Sequence, residues 1–247
     1  MQKEEAVPPA GAHGTPDAGR AELFTAEDLT ALALGLLRGR AGGGRALLGL
    51  AGPPGAGKST LARHLVAEVQ RIEGPDSAAY LPLDGFHLSE AQLDRLGLRA
   101  RKGSPATFDA RGYVALLRRA AEDRFHDIYV PDFDRELDEP VAARHVITPR
   151  ARLVLTEGNY LASPDAPWPE ARSLLRELWY VDAEDGVRED RLVRRQLAGG
   201  RDEAAARHWV ASNDHPNGEY VKAARARCTR TVRVSDLPPG PDRRSVP

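Results

Sequence analysis

The sequence predicts an α/β fold in which a parallel β-sheet has helices on both faces. Short apolar runs of strand length alternate with longer segments in which apolar residues recur at helical spacing. A glycine-rich turn separates the first buried strand from the helix after it, and acidic residues directly follow two later strands. This alternation is typical of βαβ units, whose ligands bind at the carboxyl ends of the strands.

The first helix is predicted to begin after Thr25, in a segment that resembles a capping box. Its apolar face is formed by Leu29, Leu32, Leu36 and Leu37. Strands are predicted at residues 46–51, 78–83, 127–130, 151–156, 177–181 and 229–234. Further helices are predicted at 58–72, from 108 onward, and at 185–197, 202–212 and 218–226. Because Pro82 cannot donate a hydrogen bond to a neighbouring strand, the second strand is expected at the sheet edge or to end near Pro82.

The two ends of the chain differ in composition from its interior. Residues 1–22 and 237–247 are rich in proline and glycine without hydrophobic periodicity, and we expect both to be disordered tails. Residues 23–236 are predicted to form one domain. Apolar residues make up 41% of the chain, which is enough for a sizeable core.

Composition argues against several classes of function. The 35 basic and 36 acidic residues give a net charge of -1, so the chain lacks the positive charge expected of a nucleic-acid-binding protein. No apolar run has the length of a membrane span, and the first residues lack the apolar core of a secretory signal, so we expect a cytoplasmic protein. Cys228 is the only cysteine, which excludes an intrachain disulfide, and the scattered histidines predict no structural zinc.

The glycine-rich turn after the first strand matches the phosphate-binding pattern G-x-x-x-x-G-K-[ST] in full. Its residues are Gly52-Pro53-Pro54-Gly55-Ala56-Gly57-Lys58-Ser59, and the predicted nucleotide-binding segment extends to Thr60. The glycines allow positive φ, so that successive N–H groups point at phosphate oxygens. Lys58 is expected to bridge the β- and γ-phosphates of ATP, and Ser59 to bind Mg²⁺. The alternative is a glycine-rich turn with an incidental lysine.

Acidic residues follow two other strands. Asp84 comes after the second strand, where it would act as the base for an attacking hydroxyl or position water bound to Mg²⁺. Glu157 stands at the end of the strand that begins at residue 151. In many nucleotide-binding proteins, an acid at the end of an apolar strand holds Mg²⁺. The alternatives are an Asp-Gly turn for Asp84 and a capping or turn residue for Glu157.

A third segment, Pro131-Asp132-Phe133-Asp134-Arg135, combines an aromatic ring, carboxylates and a guanidinium. Such a combination suits a polar metabolite, although an ordinary charged loop has the same composition. His87 lies beside Asp84 and either contacts the substrate or is a hydrogen-bonded histidine next to a turn.

At these motifs the sequence resembles the uridine kinase and bacterial pantothenate kinase (phosphoribulokinase-like) family of P-loop kinases. Within it, the sequence is similar to a branch described as nucleoside or nucleotide kinases, including fructose transport system kinases. The resemblance covers about residues 25–235 and is carried by 52–60, 83–88, 101–109, 130–135, 157–161 and 214–217. In uridine kinases the third segment reads like Pro-x-Tyr-Asp-Phe-x-x-His; here Phe133 replaces the tyrosine and Arg135 the phenylalanine.

The resemblance implies a three-layer sandwich whose parallel sheet has five strands in the order 2-3-1-4-5. It implies that Asp84 is the general base and that Lys58 and Ser59 handle ATP and Mg²⁺. The predicted acceptor-binding residues are Asp84, His87, Phe133, Asp134, Arg135 and Asn159. Family members are often dimers or tetramers, which leaves a homodimer open.

The resemblance also implies an arginine-rich lid at about residues 190–205. Arg191, Arg194 and Arg195 have i, i+3 and i+4 spacing, and Arg194 and Arg201 are the predicted catalytic arginines. When the lid closes, its arginines would neutralise negative charge on the transferring phosphoryl group, and the closed lid would exclude water. A solvated basic face paired with Glu189 and Asp190 is the alternative.

Two functional hypotheses follow. The first is a kinase that transfers the γ-phosphoryl group of ATP to a hydroxyl of a nucleoside, sugar or pantothenate-like metabolite. Arg99, Arg101 and Lys102 would suit an acidic acceptor or form a solvated loop. The second hypothesis is a nucleotide-switched regulatory or accessory protein with no small-molecule acceptor.

Overall fold

The computed structural model of this chain describes residues 21–39 and 44–236. The predicted tails, 1–22 and 237–247, lie outside the described residues except for residues 21 and 22. The strands are β1 (Glu22–Phe24), β2 (Ala46–Ala51), β3 (Ala78–Pro82), β4 (Ile128–Asp134), β5 (Glu139–Ile147), β6 (Leu153–Glu157), β7 (Glu177–Val181) and β8 (Arg230–Val234). The helices are α1 (Ala26–Arg38), α2 (Lys58–Glu73), α3 (Glu90–Leu96), α4 (Ala110–Glu122), α5 (Trp168–Leu174), α6 (Asp185–Ala198), α7 (Glu203–Trp209) and α8 (His215–Lys222). Within the described ranges, no helix combines the length and apolarity needed to cross a membrane.

Six strands form one parallel sheet in the order β3-β6-β2-β7-β8-β1. If β1 is left out and the other five strands of this sheet are renumbered in chain order, their order across the sheet is the expected 2-3-1-4-5. Pro82 lies in the edge strand β3, as predicted. The expectation of five strands was wrong by one. β1 gave no sequence signal because it has three residues and Leu23 is exposed.

The strand predicted at 127–130 does not belong to this sheet. β4 runs on to Asp134 and pairs with β5 in a separate antiparallel hairpin. The register shifts between Val130 and Asp132, around Pro131, which has no N–H to donate. β5 was missed because only its last residue is buried, so it has no buried apolar run. Gly85 packs directly against the Pro131 carbonyl group, and a side chain at Gly85 would collide with it, so the hairpin supports the turn that contains Asp84.

Helices cover both faces of the sheet, as predicted. α1 and α2 pack on one face, and α4 and α5 pack on the other. β2 lies between them with all six residues buried, as a central parallel strand should. A small separate cluster, Leu192, Val193, Ala206 and Val210, joins α6 to α7. The helix predicted at 202–212 is α7 followed by a π-helical turn, Val210–Asp214, which continues into α8.

Arg45, directly before β2, is fully buried. Its guanidinium donates to four backbone carbonyl groups, at 2.6–3.1 Å, on Ala120, Asp123, Thr148 and Ala151. We predict that Arg45→Met lowers the free energy of unfolding by at least about 3 kcal/mol, because buried carbonyl groups lose a charged donor. Urea denaturation measures this change, with the exposed Arg95→Met as the control. A loss below about 1 kcal/mol would contradict the assignment.

Candidate active site

The phosphate-binding loop connects β2 to α2. Gly52, Gly55 and Gly57 have φ values of 147°, 79° and 96°, a region that disfavours other residues. A side chain at Gly52 would also meet the carbonyl oxygen of Val181. α2 begins at Lys58, and no described side chain caps its N-terminus. The loop therefore leaves N–H groups and the positive end of the helix dipole available to an anion.

Lys58 extends back across this loop and is almost completely buried. Its Nζ donates to Asn159 Oδ1 at 2.7 Å and to the Pro53 carbonyl oxygen at 3.1 Å. Burial lowers the pKa of Lys58 to about 8, although Glu157 and Asp84 oppose the shift. The ammonium group is therefore still charged at neutral pH. Asn159, which we predicted to bind the acceptor, orients Lys58 in this structure.

Ser59 and Glu157 form an oxygen-rich site beside the loop. Ser59 Oγ donates to Glu157 Oε1 at 3.0 Å, and the Tyr80 hydroxyl donates to the same oxygen at 2.7 Å. Burial, followed by the charge of Asp84, raises the pKa of Glu157. A hydroxyl and a carboxylate are suitable ligands for Mg²⁺, which prefers oxygen ligands and would balance the negative charge of the carboxylate.

Tyr80 was not singled out in the sequence, yet it orients Glu157. We predict that Tyr80→Phe raises the Mg²⁺ concentration needed for half-maximal ATP turnover by about tenfold, because the carboxylate loses the partner that fixes its rotamer. A magnesium titration at saturating ATP measures the shift. Tyr129→Phe, on the exposed face of β4, is the control. An unchanged magnesium requirement would rule out this positioning role.

Asp84 lies in the turn that follows β3, whose last residue is level with Glu157 in the sheet. Its side chain is 31% exposed, and Oδ2 lies 3.5 Å from Arg135 Nη2. Burial pushes the pKa of Asp84 upward, but His87, Arg135 and other neighbouring cations outweigh burial, so its pKa lies below the usual value. The carboxylate is therefore ionised at neutral pH and able to accept a proton.

An aromatic wall formed by His87, Phe108 and Phe133 lies next to Asp84. His87 contacts the Phe108 ring at 4.1 Å and the Phe133 ring at 4.8 Å between centroids. His87 Nδ1 is 2.8 Å from the Asp84 carbonyl oxygen, and burial lowers the pKa of His87. The structure thus brings the predicted acceptor residues His87 and Phe133 together beside the predicted base.

Asp134, the last residue of β4, and Arg135, the first residue of the turn after it, have different partners. Arg135 contacts Asp84, whereas Asp134 accepts hydrogen bonds from the N–H groups of Glu136 and Leu137 and pairs with Arg144 at 2.5 Å. Asp134 therefore stabilises the hairpin turn, and its predicted contact with the acceptor has no support in these interactions.

The predicted lid lies in α6 and α7. Arg191 and Arg195 line the cleft above the loop, and Arg191 Nη1 donates to the Gly55 carbonyl oxygen at 3.1 Å. The described cleft residues do not include Arg194 or Arg201. Arg201 stacks 4.3 Å from the Trp209 ring centroid. The catalytic role of Arg194 and Arg201 stays a prediction, while i, i+4 spacing brings Arg191 and Arg195 to the cleft.

Sequence reasoning missed Arg188, one turn before Arg191. Arg188 is almost fully buried, and its Nε donates to the Pro54 carbonyl oxygen at 2.9 Å. Nη1 binds Asp185 at 2.5 Å. Arg188 therefore fixes the phosphate-binding loop against α6. Its i−3 spacing from Arg191 was the available signal, but spacing alone does not distinguish a buried arginine from a solvated one.

The cleft above the loop has a volume of about 580 Å³. Its lining includes both apolar and charged side chains. The apolar ones are Val181, Ala183, Val187 and Val234, and the cations include Arg63, Arg135, Arg191 and Arg195. Apolar lining suits a nucleotide base, and cations suit its phosphates.

Comparison with known proteins agrees with this geometry. A Schizosaccharomyces pombe protein named "Putative uridine kinase" is 36% identical over 160 residues, which cover 63% of this chain and 68% of that protein. An uncharacterised Escherichia coli protein is also 36% identical, over 72% of this chain and 73% of its own length. The chain belongs to the uridine kinase-like family of P-loop kinases.

Two solved structures share the fold of this chain. A structure from Silicibacter, described as a "putative fructose transport system kinase", has 34% identity and a TM-score of 0.73, over 82% of this chain and 98% of that one. The Saccharomyces cerevisiae protein YFH7, a P-loop protein with a circular permutation, has a TM-score of 0.72 over 86% of this chain and 100% of that one. Its identity is 21%, so that likeness concerns the fold alone. No family model matches the chain.

Proposed function

We propose that this chain is an ATP-dependent kinase that phosphorylates a hydroxyl group of a small metabolite, either a nucleoside or a sugar- or pantothenate-like acceptor. The observation that carries the proposal is the position of Asp84. This ionised, partly exposed carboxylate follows β3, the strand paired with the one that ends at Glu157, and the charge of Lys58 acts on it. The names of the uridine kinase and fructose transport system kinase relatives support a kinase.

Each side chain has a distinct part in the proposed reaction. Lys58 binds the β- and γ-phosphates, while the apolar residues of the cleft lining hold the nucleotide base. Asp84 accepts the proton of the acceptor hydroxyl as its oxygen attacks the γ-phosphorus. Arg191 and Arg195 neutralise charge that develops on the transferred group. Ser59 and Glu157 would hold Mg²⁺, which neutralises phosphate charge when it is bound.

The proposal is tested by a thermal-shift screen of metabolites in the presence of Mg²⁺ and a non-hydrolysable ATP analogue. A true acceptor is expected to raise Tm further than the analogue alone, because it binds only the folded protein. Acceptors found this way are then assayed for stimulation of ATP consumption. Slow ATP hydrolysis that no metabolite stimulates would contradict the proposal and favour a nucleotide-switched regulatory protein.

A further inference from the structure

Arg63 and Arg135 line the cleft, but the proposed mechanism uses neither. Arg63 was not singled out in the sequence. It lies on α2 one helical turn after Ser59, and therefore on the same face of the helix. Arg135 directly follows β4. Their side chains are 26% and 34% exposed, so both guanidinium groups are accessible to a ligand in the cleft.

The strand order places both arginines on one side of the phosphate-binding loop. The loop follows β2, and β7 and β8, whose last residues are apolar members of the cleft lining, lie to one side of it. β3 lies on the other side and leads into Asp84. The Arg63 guanidinium lies 5.4 Å from the ring centroid of Tyr80 in β3, and Arg135 contacts Asp84. Both arginines therefore lie on the side where the acceptor is expected.

Arg63 is oriented by its neighbours without being tightly bound by them. Its Nη2 lies 3.8 Å from Asp132 Oδ2, which is too long for a hydrogen bond. Asp132 has closer partners, since its Oδ2 is 3.0 Å from His145 Nε2 and its Oδ1 accepts from the Phe133 N–H group at 2.8 Å. Asp132 therefore does not occupy the N–H donors of Arg63.

The contact of Arg135 with Asp84 is also long, at 3.5 Å. Arg99, by comparison, forms ion pairs at 2.5 and 2.6 Å. A guanidinium has five N–H donors in a fork that matches the oxygens of a phosphate or a carboxylate. Arg63 and Arg135 each lie beside a carboxylate, so they would also shield an anionic ligand from that negative charge.

The carboxylates of the cleft lining lie on the opposite side. Asp182 and Glu184 follow β7, and both pair with Arg233 of β8, at 2.7 and 3.3 Å. The base side of the cleft thus balances its own charges. On the side of Asp84, the described lining contributes arginines and no carboxylate.

Three further cations, Arg99, Arg101 and Lys102, lie outside the described cleft lining. Arg99 and Lys102 have carboxylate partners, and Arg101 is exposed. Their positive charge would favour the approach of an anion without contacting it in the cleft. The direct contacts with an anionic ligand are therefore assigned to Arg63 and Arg135.

We propose that Arg63 and Arg135 bind an anionic group of the acceptor, a phosphate ester or a carboxylate, while Asp84 faces the hydroxyl that is phosphorylated. This inference rests on the proposed kinase function. In the transfer, the acceptor oxygen bonds to the γ-phosphorus, and the bond to the bridging oxygen of ADP breaks with its electron pair. The acceptor proton goes to Asp84. The two arginines bind the acceptor and transfer no proton.

The test compares anionic compounds with their neutral counterparts as stimulators of ATP consumption. The pairs are ribose 5-phosphate and ribose, fructose 6-phosphate and fructose, uridine 3′-monophosphate and uridine, and pantothenate and pantothenol. We expect one anionic compound to give a kcat/KM at least about tenfold above that of its neutral counterpart. A phosphorylated compound would identify the bound group as a phosphate, and pantothenate would identify it as a carboxylate.

Arg63→Met is expected to raise KM for that anionic compound about 30-fold or more, because its oxygens lose a charged partner. KM for the neutral counterpart and the Kd for Mg-ATP should change little. Arg63→Lys keeps the charge but loses the fork, so it should recover part of the affinity. Arg71→Met is the matched control, because Arg71 is exposed further along α2 and pairs with Glu68.

The Tm of each variant shows that it is folded. An equal loss with the anionic compound and its neutral counterpart would mean that Arg63 supports the site without binding the anionic group. An equal loss of Mg-ATP affinity would assign Arg63 to the phosphates of the nucleotide. Neutral compounds that act as well as anionic ones would overturn the acceptor class and leave the kinase function standing. No stimulation by any compound would contradict both proposals.

Discussion

Asp84→Asn is expected to lower kcat for acceptor phosphorylation by about 10²- to 10⁴-fold, the range over which general bases contribute. Asparagine keeps the shape of the side chain but cannot take the proton from the attacking hydroxyl. The Kd for Mg-ATP should change much less, because the phosphate contacts come from Lys58 and the N–H groups of the loop. Steady-state kinetics and calorimetry measure the two quantities on the same preparation.

Glu136→Gln is the control for Asp84→Asn, since this exposed residue of the hairpin turn contributes a backbone N–H rather than its carboxylate. The control should retain normal kcat. If Asp84→Asn retained it too, the assignment of the base would be wrong. A fall in Mg-ATP affinity as large as the fall in kcat would instead assign Asp84 to the metal and phosphate site.

Lys58→Met should weaken Mg-ATP binding by about 30-fold or more, since the triphosphate loses a buried cation worth at least about 2 kcal/mol. The methionine side chain has a similar length and leaves the loop its space. The stability of the nucleotide-free protein should not fall. The reason is that burial of the ammonium group, which lowers the pKa of Lys58 to about 8, opposes folding at neutral pH.

Lys222→Met is the control for this variant, because Lys222 is partly exposed on α8 and pairs with Asp185 and Glu219. Its Mg-ATP affinity should match that of the unaltered protein. Near-normal affinity of Lys58→Met would mean that the loop does not hold the phosphates in the expected way. A large loss of stability would mean that Lys58 mainly supports the fold.

The phosphate-binding loop and the core strands could be predicted because both depend on local patterns, whereas the order of the strands came from the resemblance to a known family. Glycines at fixed spacing determine the loop, and continuous apolar runs such as β2 mark buried parallel strands. The hairpin could not be predicted in this way. Only the last residue of β5 is buried, and Arg144-His145 interrupts its apolar residues, so it lacks the continuous apolar run that identified the other strands.

The side chains of the candidate site were predictable only in part. Asp84, Glu157 and Ser59 follow strands or the loop directly, and their positions come from the sheet. Tyr80 and Arg188 act through contacts with residues 77 and 134 positions away in the chain, which no local pattern indicates. Helical spacing identified the arginines of α6 as a group. The described lining of the cleft includes Arg191 and Arg195 but not Arg194, and this difference depends on how α6 packs over the loop.

The destination of the γ-phosphoryl group tests the central claim most directly. The protein is incubated with Mg²⁺, ATP labelled at the γ-phosphorus and each candidate nucleoside, sugar or pantothenate acceptor in turn, and the products are separated. The account predicts that the label appears in a phosphate ester of one acceptor and that Asp84→Asn abolishes this product. Label recovered as inorganic phosphate alone, with every acceptor, would contradict the account.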